Sequence, residues 1–149
     1  MALEKRISEL TAKVGAIEDT DLMVISDYNG ATYDTKKVTG TQLKPFKTYL
    51  VSISQSGTSA PTVNYEYSEL TSTITWAYIT IGVYEATLSV NELTNDKTFF
   101  QVSLGAGTMG FYSVVRTAST KFRVRNYDIA GTSQNSMLLD TQIEIKIIK

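Results

Sequence analysis

Phe46-Lys-Thr-Tyr-Leu-Val-Ser-Ile-Ser54 decides the fold of this 149-residue chain. On an extended backbone Tyr49, Val51 and Ile53 fall on one side and Leu50, Ser52 and Ser54 on the other. A period of two is the mark of a strand with one face in a core. The same signal recurs at residues 62–67, 71–79, 82–89, 98–104, 111–118, 121–128 and 142–148. Between these runs lie turn formers: Ser56-Gly-Thr-Ser-Ala-Pro61, Asn91-Glu-Leu-Thr-Asn-Asp96, Gly105-Ala-Gly-Thr-Met-Gly110 and Gly131-Thr-Ser-Gln-Asn-Ser136. Gly, Asn, Asp and Ser reverse a chain cheaply because they accept positive φ or bond their own backbone. Eight short strands with regular turns predict a mainly β fold, an antiparallel β-sandwich or jelly roll. Pro45 and Pro61 fall outside the strands, as a hydrogen-bonded ladder requires.

Upstream of Lys44-Pro45 the composition changes, which divides the chain into a small N-terminal attachment or oligomerisation module, residues 1–44, and the β-sandwich domain, residues 45–149. In the module, residues 21–26 read as a strand, Asp27-Tyr-Asn-Gly30 as a turn and residues 31–38 as the returning strand. Asn29-Gly30 tolerates the positive φ of a hairpin turn. Ahead of the hairpin Leu3, Ile7, Leu10, Val14 and Ile17 are spaced as two heptads of a and d positions. Gly15 weakens a helix there by about 1 kcal/mol relative to Ala. A helix this short is marginal alone, so residues 1–18 are expected either as a helical zipper or as an extended arm, both assembly devices. The third reading is an amphipathic helix folded back on its own domain.

Composition removes several function classes. The chain has no Cys and no His, which takes away thiolate and imidazole metal ligands, the Cys nucleophile, the His general base and the disulfide. No cofactor is expected. A formal net charge of −1 provides no basic field, so neither nucleic acid nor membrane is an expected partner. Met1-Ala-Leu-Glu-Lys-Arg6 alternates charged and apolar residues, so no signal peptide is expected, and no run nears the roughly 18 apolar residues of a membrane span.

Ile7-Ser-Glu-Leu10, Asp19-Thr-Asp-Leu-Met-Val-Ile-Ser26, Thr35-Lys-Lys-Val-Thr39 and Gln42-Leu43 form a pattern that resembles the N-terminal module of small fibre and decoration proteins of tailed bacteriophages. Downstream, Gln55-Ser-Gly-Thr-Ser-Ala-Pro61, Thr75-Trp76, Gly82-Val-Tyr84, Asn95-Asp-Lys-Thr98 and Ile143-Glu-Ile145 resemble a compact β domain of phages infecting Bacteroidota, crAss-like phages included. The resemblance implies a virion structural protein, not an enzyme: a homotrimeric head fibre or capsid decoration, assembled in the bacterial host cytoplasm, that contacts capsid or other virion proteins. It also implies attachment or oligomerisation through Leu3, Ile7, Leu10, Val14, Ile17, Asp21, Leu22, Lys37 and Leu43. The alternative is a carbohydrate-binding module of a tail fibre, with a host surface glycan as partner.

Three groups of side chains remain as chemical candidates. Lys121, Arg123 and Arg125 alternate, which puts three cations on one strand face, with Phe122, Val124 and Tyr127 on or near the other. They read as a contact for an anion, a glycan or a virion neighbour, or as a plain solvated face dispensable for folding. The aromatics Tyr65, Tyr67, Trp76, Tyr78, Tyr84, Phe111 and Tyr112 read either as rings that stack on sugars or, since Tyr65/Tyr67 and Trp76/Tyr78 each share a face, as core or trimer-interface residues, the reading preferred here. Among carboxylates Glu66, Glu69, Glu92, Asp96, Asp19 and Asp21 stand in no catalytic motif, and Asp19-Thr-Asp21 lacks the Gly and distal Glu of a calcium loop. Gly105-Ala-Gly-Thr-Met-Gly110 matches a dinucleotide fingerprint, yet a β pattern follows it where a helix is needed, so it reads as a loop.

Overall fold

The computed structural model describes residues 22–28, 30–103, 105 and 110–149. The chain divides into two compact units, Met1–Lys44 and Pro45–Lys149.

In the first unit β1, Leu22–Tyr28, pairs antiparallel with β2, Tyr33–Thr39, from Leu22↔Thr39 to Tyr28↔Tyr33. Pairing runs two residues beyond the expected strand end at Ser26, so Asp27 and Tyr28 stand in the ladder where a turn was expected. Gly30 takes φ 95°, open to glycine at little cost, so the turn extends past it and leaves Asp27 in the ladder. After β2 a single helical turn, α1, Gly40–Leu43, closes the unit. It is set by a capping box. The Gln42 amide N–H donates to Thr39 Oγ1 (3.3 Å) and the Thr39 N–H donates to Gln42 Oε1 (2.8 Å), so the Thr-x-x-Gln spacing satisfies two otherwise orphan donors.

The second unit is a sandwich of two four-stranded antiparallel sheets. One has the order β4-β3-β10-β7, from β3 Phe46–Ser54, β4 Thr62–Ser68, β7 Thr98–Ser103 and β10 Thr141–Ile148. The other has the order β5-β6-β9-β8, from β5 Ile74–Thr80, β6 Val83–Leu88, β8 Gly110–Ala118 and β9 Lys121–Asp128. Three pairs of consecutive strands, β3/β4, β5/β6 and β8/β9, lie within one sheet; the other connections pass between sheets.

The core is what the alternation dictates. Tyr49, Val51, Ile53, Ile143 and Ile145 from one sheet meet Tyr84, Ala86, Phe122 and Val124 from the other, all fully buried. Phe122 sits at its centre, with the Trp76 ring 5.4 Å away edge-on and the Phe100 ring 5.5 Å away. Parity along β9 corrects one detail: the third inward position is Asn126, fully buried, while Tyr127 lies opposite Phe111 on the cation side.

Polar ties hold the connections. Gln55, buried at the end of β3, accepts at Oε1 from the Tyr84 hydroxyl (2.6 Å) and the Ser136 N–H (2.8 Å) and donates through Nε2 to Gly57 O (2.6 Å). At Gly82, φ 67°, an added Cβ would lie 2.6 Å from the Asn126 carbonyl oxygen; only glycine lets the β5–β6 turn approach β9 so closely.

Candidate functional site

The outer face of the β5-β6-β9-β8 sheet gathers the charged stripe. Lys121, Arg123 and Arg125 point away from the core, as their spacing predicts, and pair in register with Thr87, Glu85 and Val83 of β6. The consequence for the cations is unequal. Glu85 accepts from Lys121 Nζ at Oε1 (2.7 Å) and from Arg123 Nε at Oε2 (2.8 Å). Beneath these two chains Glu85 is only 6% exposed although it stands on an outward face. The Lys121 hydrogen bond holds its carboxyl below the ordinary carboxylate range; burial opposes that shift and Arg123 adds to it. The Arg125 guanidinium makes no ion pair or hydrogen bond among the described residues. It stands between Val83 and Ser113.

The stripe is therefore not three equal solvated cations but a clasped carboxylate and one available guanidinium. Exposed apolar groups stand on the neighbouring strands. Phe111, 62% exposed, and Val115 lie on the same face of β8, and Ile79 is exposed at the bulge of β5. Nothing local in the sequence marks Glu85 as the partner. The signal is the register of β6 against β9, which two hairpins and the sandwich connections set together.

A second carboxylate with a buried side chain is Glu92, which the sequence marks only as a loop residue in no motif and whose partners, again, are not local. Glu92 accepts from Lys47 Nζ (2.8 Å) and from the backbone N–H groups of Thr71 (3.2 Å) and Ser72 (2.9 Å). Burial pushes its carboxyl up, and the bonds from Lys47, Ser72 and Thr71 more than offset this, leaving it at about 2. It ties the β4–β5 connection to β3 and serves packing.

The aromatics separate into two sets. Trp76, Tyr78, Tyr84 and Tyr112 belong to the core or pack on it. Tyr65 and Tyr67, expected as core or interface residues, are 60% and 46% exposed on β4, every residue of which is exposed. They face outward because Tyr67 pairs with Leu50 and Tyr65 with Ser52, the outward positions of β3.

Leu3, Ile7, Leu10, Val14, Ile17, Asp19 and Asp21 lie outside the described residues. Leu22 opens β1 opposite Thr39, Lys37 is exposed on β2, and Leu43 ends the helical turn at 44% exposure. Of the glycine-rich segment, Gly105 and Gly110 are described; Gly110 begins β8, and a strand stands where a dinucleotide site needs a helix. Among the described residues no three His, Cys, Asp or Glu side chains are grouped to hold a metal ion, and no helix is long and apolar enough to cross a membrane. Comparison with protein-family profiles, with curated proteins and with solved structures finds no match.

Proposed function

We propose that the chain is a structural protein of a tailed-bacteriophage particle: a homotrimeric head fibre or capsid decoration that assembles onto the virion and projects its sandwich outward. The observation that carries this reading is the outer face of the β5-β6-β9-β8 sheet, where exposed Phe111 and Val115 share the face with Glu85, which is ion-paired to both Lys121 and Arg123. Exposed apolar side chains beside ion-paired charge are what an assembly interface presents before a neighbour covers it. The resemblance of residues 7–43 to virion-attachment modules supports the same reading. On it, the Thr39–Gln42 capping box fixes where the chain leaves β2.

Assembly of this kind proceeds by burial of apolar area and shape complementarity, without turnover. Quantitative mass spectrometry and cryo-EM of purified particles test it. Many copies at symmetry-related capsid sites, seen as trimers, are expected; absence from the particle, or monomers alone in native mass spectrometry and on the virion, overturns it. A chain lacking residues 1–43 is expected to keep the sandwich and to fail to join the particle. Incorporation at the normal copy number would move the attachment surface into the sandwich.

A further inference from the structure

The opposite outer face, on the β4-β3-β10-β7 sheet, has a different chemistry, and its strand register shows it. One row runs straight across the four strands: Tyr67, Leu50, Glu144, Gln101. The next row, two residues along, is Tyr65, Ser52, Gln142, Ser103. Strands are about 4.8 Å apart, so each row spans about 14 Å from an exposed tyrosine at one edge to an amide or hydroxyl at the other.

The surface between them is hollowed. A depression of about 190 Å³ is lined by Leu50, Gln101, Ser103, Gln142 and Glu144. A second, of about 110 Å³, shares Gln101 and Glu144 with it and ends at Phe99, which is exposed. Together they form a trough across β3, β10 and β7 with Phe99 in its lining at one edge, and beyond Leu50 and Ser52 at the other edge the next strand carries Tyr67 and Tyr65.

Three of its polar side chains are unspent. The side chains of Gln101, Gln142 and Ser103 make no hydrogen bond among the described residues. Charge in the trough is compensated: Lys146 Nζ lies 3.1 Å from Glu144 Oε1 and 5.3 Å from the centre of the Phe46 ring. A face with no net charge gives an anionic ligand, a phosphate chain or a nucleic acid no electrostatic purchase. Two primary amides and a carboxylate set between aromatic rings match a ligand that is neutral, rich in hydroxyl groups and flat on its C–H faces.

We propose that this trough is a binding site for a neutral oligosaccharide, with Tyr65 and Tyr67 as the stacking platform at one edge and Gln101, Gln142 and Glu144 bonding sugar hydroxyls across the floor. The proposal does not depend on where the protein sits in a particle, and it uses the face that the assembly reading leaves open.

The full chain, isotope-labelled, is titrated at millimolar concentration with a panel of neutral oligosaccharides, gluco-, manno-, galacto- and xylo-configured, and followed by amide chemical shifts. At least one sugar is expected to shift residues 50–52, 65–67, 101–103 and 142–144 in a saturable way. Tyr65→Ala with Tyr67→Ala is expected to weaken that binding about tenfold. Gln142→Ala removes an exposed side chain with no internal bond, so it tests the floor without risk to folding and is expected to weaken binding severalfold. No shift in these rows with any member of the panel overturns the proposal. So do shifts confined to the other sheet, binding untouched by both variants, or a trimer that dissociates when the tyrosines are replaced, which would assign the face to a second copy of the chain.

Discussion

The two outer faces of the sandwich start from the same rule and end differently. Both are built from residues that alternate with the core, and both carry charge. On the β5-β6-β9-β8 sheet the charge is committed: Glu85 lies buried under Lys121 and Arg123, and removing a partner leaves a desolvated carboxylate. On the β4-β3-β10-β7 sheet the Gln101, Gln142 and Ser103 side chains have no internal bond among the described residues, and they lie beside one exposed ion pair. An outward position on a strand therefore does not make a residue energetically idle. What decides is whether a neighbouring strand places a partner beside it, as β6 does for Lys121 and Arg123 and no strand does for Gln101 and Gln142 among the described residues.

The largest test of this contrast is the triple replacement of Lys121, Arg123 and Arg125 by Ser. Three solvated cations would cost almost nothing, since exposed pairs contribute about 0–1 kcal/mol each. With Glu85 buried beneath them the replacement strands a carboxylate, and a loss of about 2 kcal/mol is expected by chemical denaturation. Adding Glu85→Gln should recover most of it. A triple variant as stable as the parent would return the stripe to an ordinary solvated face.

Next in size is Glu92, where the contrast meets pH. Its carboxyl is held at about 2, below its ordinary value of 4.5, so its contribution is fully present above pH 4.5 and is lost as pH falls toward 2. Glu85 is shifted in the same direction and adds to the same acid limb. Glu92→Gln is expected to cost about 1–2 kcal/mol at neutral pH and to flatten the fall in stability between pH 4.5 and 2. An unchanged acid limb would show that Lys47, Thr71 and Ser72 do not depend on the charge.

The strands and the core were legible in the sequence because alternation is a local signal. The run 121–128 is read with both its ends, and Tyr49, Val51 and Ile53 are read on one shared face, which is the buried one. What was not legible depends on register. Glu85 meets Arg123 only because β6 lies beside β9; Glu92 meets Lys47 across 45 residues of chain; and the two rows of the trough draw on four strands. Tyr65 and Tyr67 share a face in any strand, and the sequence does not say which side that face takes. Only pairing with Leu50 and Ser52 turns it outward.

A smaller effect is expected on the opposite face. Gln101→Ala with Gln142→Ala removes two exposed amides that bond nothing internal, so thermal melting should change by less than about 0.5 kcal/mol. A larger loss would show that these amides support the sheet, and the contrast between the faces would weaken.

The smallest effect is expected for Arg125→Ser alone. Its guanidinium makes no ion pair or hydrogen bond among the described residues and stands opposite Val83 and Ser113, so the isolated protein should melt as the parent does. Lys121→Ser and Arg123→Ser, tested one at a time, should each lower stability, because each uncovers part of Glu85. That difference within one alternating triplet is what the register predicts and the sequence alone does not. The same Arg125 variant is then informative in assembly. A face covered by a neighbour has one guanidinium to offer it, so copy number on the particle should fall while stability holds. A variant that melts early and still incorporates would mean that Arg125 supports the fold and that a different surface grips the neighbour.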